Sequence, residues 1–151
     1  MADVREKVEA ELESVAQAVS QLPSAAACEH LSVLELAGAG ALLHAFYNGI
    51  ENVLKQVLLA VGQLLPTGVS WHRDLVNAAT ARGIISEGLA SELRNYLAFR
   101  HFFSHGYAVN LSRDRLAPLI AEAQEVLTCF QGEIASFLGG LTPGGSQSRP
   151  P

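Results

Sequence analysis

Residues 42–61 read LLHAFYNGIENVLKQVLLAV, and this stretch decides the fold. Its apolar side chains recur at helical spacing and cover most of the helix circumference. A helix that is apolar nearly all round is buried on most sides, so we expect it at the centre of a bundle or shared with a second subunit. It is predicted to run from about residue 31 to 65, ended by Pro-Thr-Gly at 66–68. Gly38 and Gly40 predict a close approach of another backbone, or a break.

Amphipathic helices are also predicted on either side of this stretch. Towards the N-terminus, one apolar stripe stops at Pro23 and is followed by a short Ser/Ala connection. The stripe consists of Val4, Val8, Leu12, Val15, Val19 and Leu22. On the other side, a short helix is predicted over Trp71–Arg82, with Ser70 as its N-cap and Gly83 as its C-terminal stop.

Two more helices complete the expected fold. One begins after Ser86 and continues to Gly106, and the last begins near Asp114 and tolerates Pro118 in its first turn. Strand-like alternation is nearly absent from the sequence. The fold class is therefore predicted to be all-α, an up-and-down bundle of four main helices plus one short helix.

Length and composition fit one domain, because 151 residues with 49% hydrophobic content supply a sizeable core. The bundle is expected to span residues 1–138, and residues 139–151, which lack apolar anchors, are expected to be a disordered tail. The longest apolar stretch contains Lys55 and the N-terminus is charged, so we expect no membrane span, no signal peptide and a cytoplasmic location. Cys28 and Cys129 are expected as buried thiols.

Charge is distributed unevenly along the chain. The net charge of −5 argues against nonspecific nucleic-acid binding by the whole surface. Six of the ten basic residues nevertheless lie between positions 73 and 115, and the first 51 residues contain eight acidic residues. Two interpretations remain open: a locally basic cleft on an acidic body, or scattered solvated charges.

A narrow polar strip crosses the central helix. His44, Asn48, Glu51 and Lys55 are spaced by four, three and four residues, which places them on one face. The strip is either a solvent-exposed edge or the lining of a cleft. His44 taken alone is more typical of a structural histidine, and His72 with Asp74 is predicted to be a surface pair.

The run Arg100-His101-Phe102-Phe103-Ser104-His105-Gly106-Tyr107 concentrates the reactive side chains of the chain. Its helix has an apolar stripe, and Arg100 occupies a position where that stripe calls for an apolar side chain. A buried guanidinium needs a carboxylate, a cleft or a bound anion. An ion pair with Glu51 is the structural alternative. Gly106 is predicted to end the helix, so that Arg100 can curl towards His105 in the last turn.

Arg100-x4-His105-Gly106-Tyr107 resembles the R-x4-H-x-Y signature of the HepT-like proteins of the HEPN superfamily. The resemblance covers about residues 31–137 and includes the segment at 46–54. It implies a compact helical bundle that dimerises, with arginine and histidine from two protomers meeting in a cleft. Many such proteins are metal-independent endoribonuclease toxins. Their typical partner is a small nucleotidyltransferase antitoxin, which adds AMP to the tyrosine, here Tyr107.

The residue types suit RNA cleavage. His105 from two subunits would supply base and acid, with Arg100 stabilising the phosphorane charge. His101 and Ser104, with Glu51 and Asn48 opposite, are predicted supporting residues, and neither a metal nor a cofactor is expected. The pairing of Arg94 with His101 is an alternative motif. A non-catalytic HEPN partner or substrate-binding subunit of a small nucleotidyltransferase is the alternative function. The aromatic residues Phe99, Phe102 and Phe103 are predicted to belong to the core or the dimer interface.

Overall fold

The computed structural model of the chain describes residues 2–105 and 111–141. This part of the chain forms five α-helices and one 3-10 helix, with no strand among the described residues. The predicted all-α fold with four long helices and one short helix is confirmed. The elements are α1 (Ala2–Ser20), the 3-10 helix (Ala25–His30), α2 (Val33–Ala60), α3 (Trp71–Ala81), α4 (Glu87–His105) and α5 (Arg113–Gly140).

Helix α2 is the centre of the bundle, as its all-round apolar character predicts. It contacts α1, α3, α4 and α5, and its long apolar side chains are buried along most of its length. Ser32 and Glu35 form a capping box at its start: the Ser32 hydroxyl accepts from the Glu35 N–H at 3.1 Å, and the Glu35 carboxylate accepts from the Ser32 N–H at 3.0 Å. These contacts fix where α2 begins.

The predicted end of α2 near residue 65 is wrong, because the helix ends at Ala60. Gly62 adopts a φ of 77°, the left-handed region that favours glycine, and terminates the helix. The N–H of Gln63 then donates to the carbonyl of Leu58 at 3.0 Å, and the N–H of Gly62 donates to that of Leu59 at 3.0 Å. This is a Schellman motif, which satisfies the last carbonyl groups before the predicted proline stop is reached.

Glycines let neighbouring elements approach α2 closely. Helix α2 is continuous through Gly38 and Gly40, so the break considered from the sequence does not occur. At Gly40, a Cβ would meet Leu111 Cδ1 at 2.9 Å and Phe103 Cε2 at 3.1 Å. At Gly49, a Cβ would overlap the side chain of Val15 on α1. Side chains, not a second backbone, therefore fill these gaps.

The connection between α1 and α2 is more ordered than the sequence predicts. Residues 25–30 form a 3-10 helix, begun by the Ser24 hydroxyl, which accepts from the Ala27 N–H at 3.2 Å. Arg113 at the start of α5 donates to the carbonyls of Cys28 at 3.1 Å and Leu31 at 2.6 Å. Arg113 therefore links the connection between α1 and α2 to the start of α5.

Two predicted helix ends are confirmed in position. Gly83, with a φ of 73°, ends α3 in a second Schellman motif, and Ser86 immediately precedes α4. The Ser86 hydroxyl accepts from the Leu89 N–H at 3.2 Å. Ser70 precedes α3 as predicted, but its hydroxyl donates to Asp74 at 3.0 Å and forms no side-chain cap.

The last helix differs from its prediction in detail. It begins at Arg113, which places Pro118 in the second turn, not the first. It continues to Gly140, two residues past the predicted domain boundary at 138, and residues 142–151 of the predicted tail lie outside the described part of the chain. Cys28 is buried as expected, whereas Cys129 is exposed. Within the described residues, no helix is long and apolar enough to cross a membrane.

Candidate functional site

Arg100 on α4 turns inward against α2, as the apolar stripe predicts. The preceding positions of that stripe, Leu89, Leu93 and Tyr96, are buried. The Arg100 side chain is 22% exposed, and its Nε donates to Asn48 Oδ1 at 3.0 Å. The same Nε lies 3.8 Å from Glu51 Oε1. The guanidinium is thus held through one nitrogen by a neutral and a charged acceptor.

Glu51 is the buried acid of the site, with 3% of its side chain exposed. Its second oxygen, Oε2, accepts from His72 Nδ1 at 2.6 Å. The His72 ring packs against Trp71, with ring centroids 3.5 Å apart and the planes tilted by 30°. Lys55 Nζ lies 4.1 Å from the centroid of the Trp71 ring. The His72 side chain is 20% exposed and pairs with Glu51, not with Asp74 as predicted. Because Glu51 and His72 are 21 positions apart, no local spacing signals the contact.

His44 faces α4 one turn further along. Its Nδ1 lies 3.4 Å from the amide nitrogen of Asn48, and its Nε2 lies 3.5 Å from Ser104 Oγ. Its ring packs against Phe103, with centroids 5.3 Å apart. Burial, followed by the charge of Arg100, lowers the pKa of His44, while the charge of Glu51 partly opposes this. The polar strip of α2 therefore packs against Arg100 and Ser104 of α4 and is not a fully exposed edge.

Tyr47 adds a buried hydroxyl beside the same carboxylate. The side chain has no exposed surface, and its Oη has no hydrogen-bond partner among the described residues. Glu51 nevertheless lies close enough for its negative charge, after burial itself, to raise the pKa of Tyr47 above the ordinary tyrosine value. The hydroxyl therefore stays protonated beside the carboxylate of Glu51.

Comparison with protein-family models matches residues 38–141 to the family described as HepT-like protein. The chain belongs to the HepT-like family. The predicted relationship to HEPN proteins is thereby confirmed. The match begins inside α2 and reaches the end of α5, so it includes the described Arg100 site and leaves out α1 and the 3-10 helix. The comparisons found no matching curated protein and no matching solved structure.

The HepT-like motif is partly visible in the structure. Arg100 faces the polar strip of α2, and Ser104, four residues later, contacts His44 at 3.5 Å. His101 is exposed on α4. His105 is the last helical residue of α4 by its backbone, but its side chain lies outside the described part, as do Gly106 and Tyr107. The predicted convergence of Arg100 with His105 therefore stays a prediction.

The alternative motif at Arg94 has a different environment. Arg94 Nη1 pairs with Glu87 at 2.7 Å, and its Nη2 donates to Asn77 Oδ1 at 3.2 Å. Both side chains of the ion pair are exposed, 38% for Arg94 and 69% for Glu87. This arginine stabilises the surface between α3 and α4, whereas Arg100 faces the polar strip.

The arginines between positions 73 and 115 are distributed over several faces of the HepT-like bundle. Arg113 and Arg82 donate to backbone carbonyls at 2.6 and 3.1 Å, and Arg94 pairs with Glu87. Arg100 instead contacts the polar strip. Of the two interpretations of charge, scattered side chains describe these residues better than a single basic cleft.

The aromatic residues near the motif have packing roles. Phe99 is buried and stacks on Phe103 with ring centroids 5.7 Å apart, while Phe102 lies 5.7 Å from the guanidinium carbon of Arg115. Phe99 thus belongs to the core, as predicted. Among the described residues, no group of three or more His, Cys, Asp or Glu side chains has the arrangement of a metal site.

Proposed function

We propose that this HepT-like protein is a metal-independent endoribonuclease, the toxin of a HEPN/nucleotidyltransferase pair. The observation that carries the proposal is the setting of Arg100. Its Nε is fixed by Asn48 and Glu51, whereas its two terminal nitrogens make no hydrogen bond to a described residue. A guanidinium fixed through Nε, with both terminal nitrogens unpaired among the described residues, suits the binding of a phosphate group.

The proposed reaction is attack of a ribose 2′-oxygen on the adjacent phosphorus. The bond from the 2′-oxygen to phosphorus forms, the bond from phosphorus to the 5′-oxygen breaks, and the phosphorane between them carries extra negative charge. Arg100 stabilises this charge. His105 of one protomer accepts the 2′-hydroxyl proton, and His105 of the other donates a proton to the leaving 5′-oxygen. A homodimer with a shared cleft supplies both histidines.

The remaining predicted residues have supporting roles in this proposal. Asn48 and Glu51 orient Arg100, and Ser104 and His101 lie on the same helix within two turns of His105. Tyr107 is the proposed acceptor of AMP from a cognate nucleotidyltransferase antitoxin. The protein is proposed to act in the cytoplasm, where its RNA substrate and the nucleotidyltransferase are both present.

A second function has an observation in its favour. The ion pair between Arg100 and buried Glu51 accounts for the arginine structurally, with no need for RNA, and the net charge is −5. Such a protein would be a non-catalytic HEPN partner of a nucleotidyltransferase. Arg100 would then stabilise the bundle or bind nucleotide.

An RNA-cleavage assay separates the two functions. We expect the wild-type protein to cleave total RNA without added metal, and His105→Ala to lower the rate by at least about 10²-fold. Arg100→Lys is expected to lower it too, because lysine cannot replace the planar guanidinium. Arg94→Lys is the matched control and should cleave at the wild-type rate.

Two results would decide against the nuclease. Cleavage that survives His105→Ala would refute the proposed chemistry, and the absence of cleavage by the wild-type protein would favour the non-catalytic partner. Co-expression with a neighbouring nucleotidyltransferase tests the partner independently. A mass increase of one AMP that is absent in Tyr107→Phe would support modification at that tyrosine.

A further inference from the structure

His44 lies beside Arg100 and has no part in the proton transfers described above. The two side chains are linked through Asn48, which contacts Arg100 Nε at 3.0 Å and His44 Nδ1 at 3.4 Å. His44 also approaches Ser104, which is four residues after Arg100 and therefore on the same face of α4. These contacts determine which ring nitrogen of neutral His44 carries the hydrogen.

The orientation of the Asn48 amide follows from Arg100. Arginine nitrogens only donate hydrogen bonds, so the atom of Asn48 that meets Arg100 Nε must be the oxygen. The amide nitrogen consequently faces His44 Nδ1, and it can only donate. Reversing the amide would set two donors against each other at Arg100.

The tautomer of His44 follows in turn. A nitrogen that accepts a hydrogen bond from Asn48 carries no hydrogen, so neutral His44 has its hydrogen on Nε2. That Nε2–H faces the exposed Ser104 hydroxyl at 3.5 Å, the long limit of a hydrogen bond. The Nε2–H group of His44 is therefore bound only weakly by Ser104 and can donate to a better acceptor.

The charge state of His44 is consistent with this arrangement. A proton on Nδ1 would confront the Asn48 amide N–H. Arg100 on α4 and Glu51 on α2 are the charged groups that influence His44, and burial together with Arg100 lowers its pKa. The imidazole is therefore neutral near pH 7 and resists protonation.

We propose that His44 is a further catalytic residue of the site, a neutral hydrogen-bond donor that binds the scissile phosphate of RNA through Nε2–H. This proposal rests on the proposed nuclease function and deepens it. Ser104 lies about one helical turn after Arg100, roughly 6 Å along α4. Different oxygens of one phosphate would then accept from the guanidinium and from His44, and Asn48 would position both donors.

The first test is independent of catalysis. Imidazole nitrogen NMR at pH 8, assigned by comparison with His44→Gln, is expected to show hydrogen on Nε2 and none on Nδ1. Asn48→Asp is expected to reverse this pattern, because a carboxylate accepts from Nδ1–H while still accepting from Arg100. A wild-type protein with hydrogen on Nδ1 would overturn the proposal.

The second test measures the kinetic role. We expect His44→Ala to lower kcat for RNA cleavage by about 10²-fold, as for other donors to developing negative charge. His44→Gln should recover part of that loss, since its amide supplies a donor near the position of Nε2. The shape of the pH profile should survive in both variants, because His105 carries the protons. Exposed His30→Gln is the matched control.

The outcomes separate this proposal from the nuclease function. A mixed-sequence 2′-O-methyl oligoribonucleotide, which cannot be cleaved by 2′-oxygen attack, should shift the His44 Nε2 resonance. If the wild-type protein cleaves no RNA but this shift occurs, the nuclease function fails and phosphate binding by His44 is retained. If cleavage is normal in His44→Ala, or if the shift is absent, the role of His44 is refuted.

Discussion

Glu51 connects three helices at the level of single atoms. One oxygen faces Arg100 on α4 at 3.8 Å, and the other accepts from His72 on α3 at 2.6 Å. A buried carboxylate is tolerated because one oxygen accepts a hydrogen bond from His72 and the other lies within ion-pair distance of Arg100. A glutamine at position 51 would carry an NH₂ group in place of one carboxylate oxygen. That NH₂ group would face Arg100 or His72, each of which is also a donor.

We therefore expect Glu51→Gln to lower the free energy of unfolding by about 1–3 kcal/mol, the usual cost of leaving a buried polar group unsatisfied. Glu87→Gln is the matched control, because its ion pair with Arg94 is exposed and should contribute less than about 0.5 kcal/mol. Urea unfolding measures both. Equal effects in the two variants would show that Glu51 has no special structural role.

His44 gives stability a dependence on pH. The folded state holds its pKa below the ordinary 6.5, so the unfolded chain takes up the proton first as the pH falls. Stability contributed by neutral His44 is complete above about pH 6.5 and is lost as the pH falls towards the lowered pKa. His44→Gln should flatten this loss in unfolding curves between pH 7 and 5, and His30→Gln should leave it unchanged.

The sequence predicted some residues of the site and missed others for a physical reason. Arg100 was identifiable because it interrupts an apolar stripe, which is a local pattern. Asn48 and Glu51 were identifiable because they belong to a polar strip whose spacing of three or four residues places it on one helix face. His72 gave no signal, because its contact with Glu51 depends on how α3 docks after a ten-residue connection between Ala60 and Trp71. The hydrogen-bonding role of His44 likewise depends on side chains of α4.

At the scale of elements, the packing of α1 on α2 depends on Gly49. Its missing side chain leaves room for Val15, and α1 presents Val8, Val15 and Val19 to the core. Alanine stabilises a helix by about 1 kcal/mol relative to glycine. At Gly49 this gain is opposed by the overlap of the added methyl group with Val15. The structure indicates that packing prevails at this position.

Gly49→Ala is expected to destabilise the protein by about 1–3 kcal/mol, because the added methyl group overlaps Val15. Gly38→Ala, in the same helix with no atom within 4 Å of the added methyl, should be stabilising by up to about 1 kcal/mol. Denaturant midpoints measure both variants. The double variant Val15→Ala/Gly49→Ala should recover part of the loss, and equal stability of the two single glycine variants would contradict the close packing.

Helix existence was predictable, and helix ends were less so. The apolar patterns located all five α-helices, since burial of one face determines where a helix is stable. The proline at 66 predicts too late an end for α2, because Gly62 terminates the helix earlier through its positive φ. The 3-10 helix at Ala25–His30 was missed because its stability depends on Ser24 and on the distant Arg113.

At the scale of the whole molecule, the proposed chemistry requires two copies of the chain. Light scattering is expected to give twice the mass of the 16.1 kDa chain. Dilution below the dimer dissociation constant should lower the specific RNA-cleaving activity, because each cleft then loses one His105. A fully active protein with the mass of one chain would refute the shared cleft, and the Arg94→Lys variant should dimerise normally.

The three-helix anchoring of Arg100 limits how the motif can be transplanted. Its arginine is oriented by Asn48 and Glu51 from α2, and Glu51 is itself fixed by His72 from α3. Grafting residues 100–107 alone onto another helical scaffold would transfer the reactive groups without the surroundings that orient them. A designer who wished to reuse this site would have to move parts of three helices together. The smallest unit that can be transferred is therefore the packed set of α2, α3 and α4, not the motif.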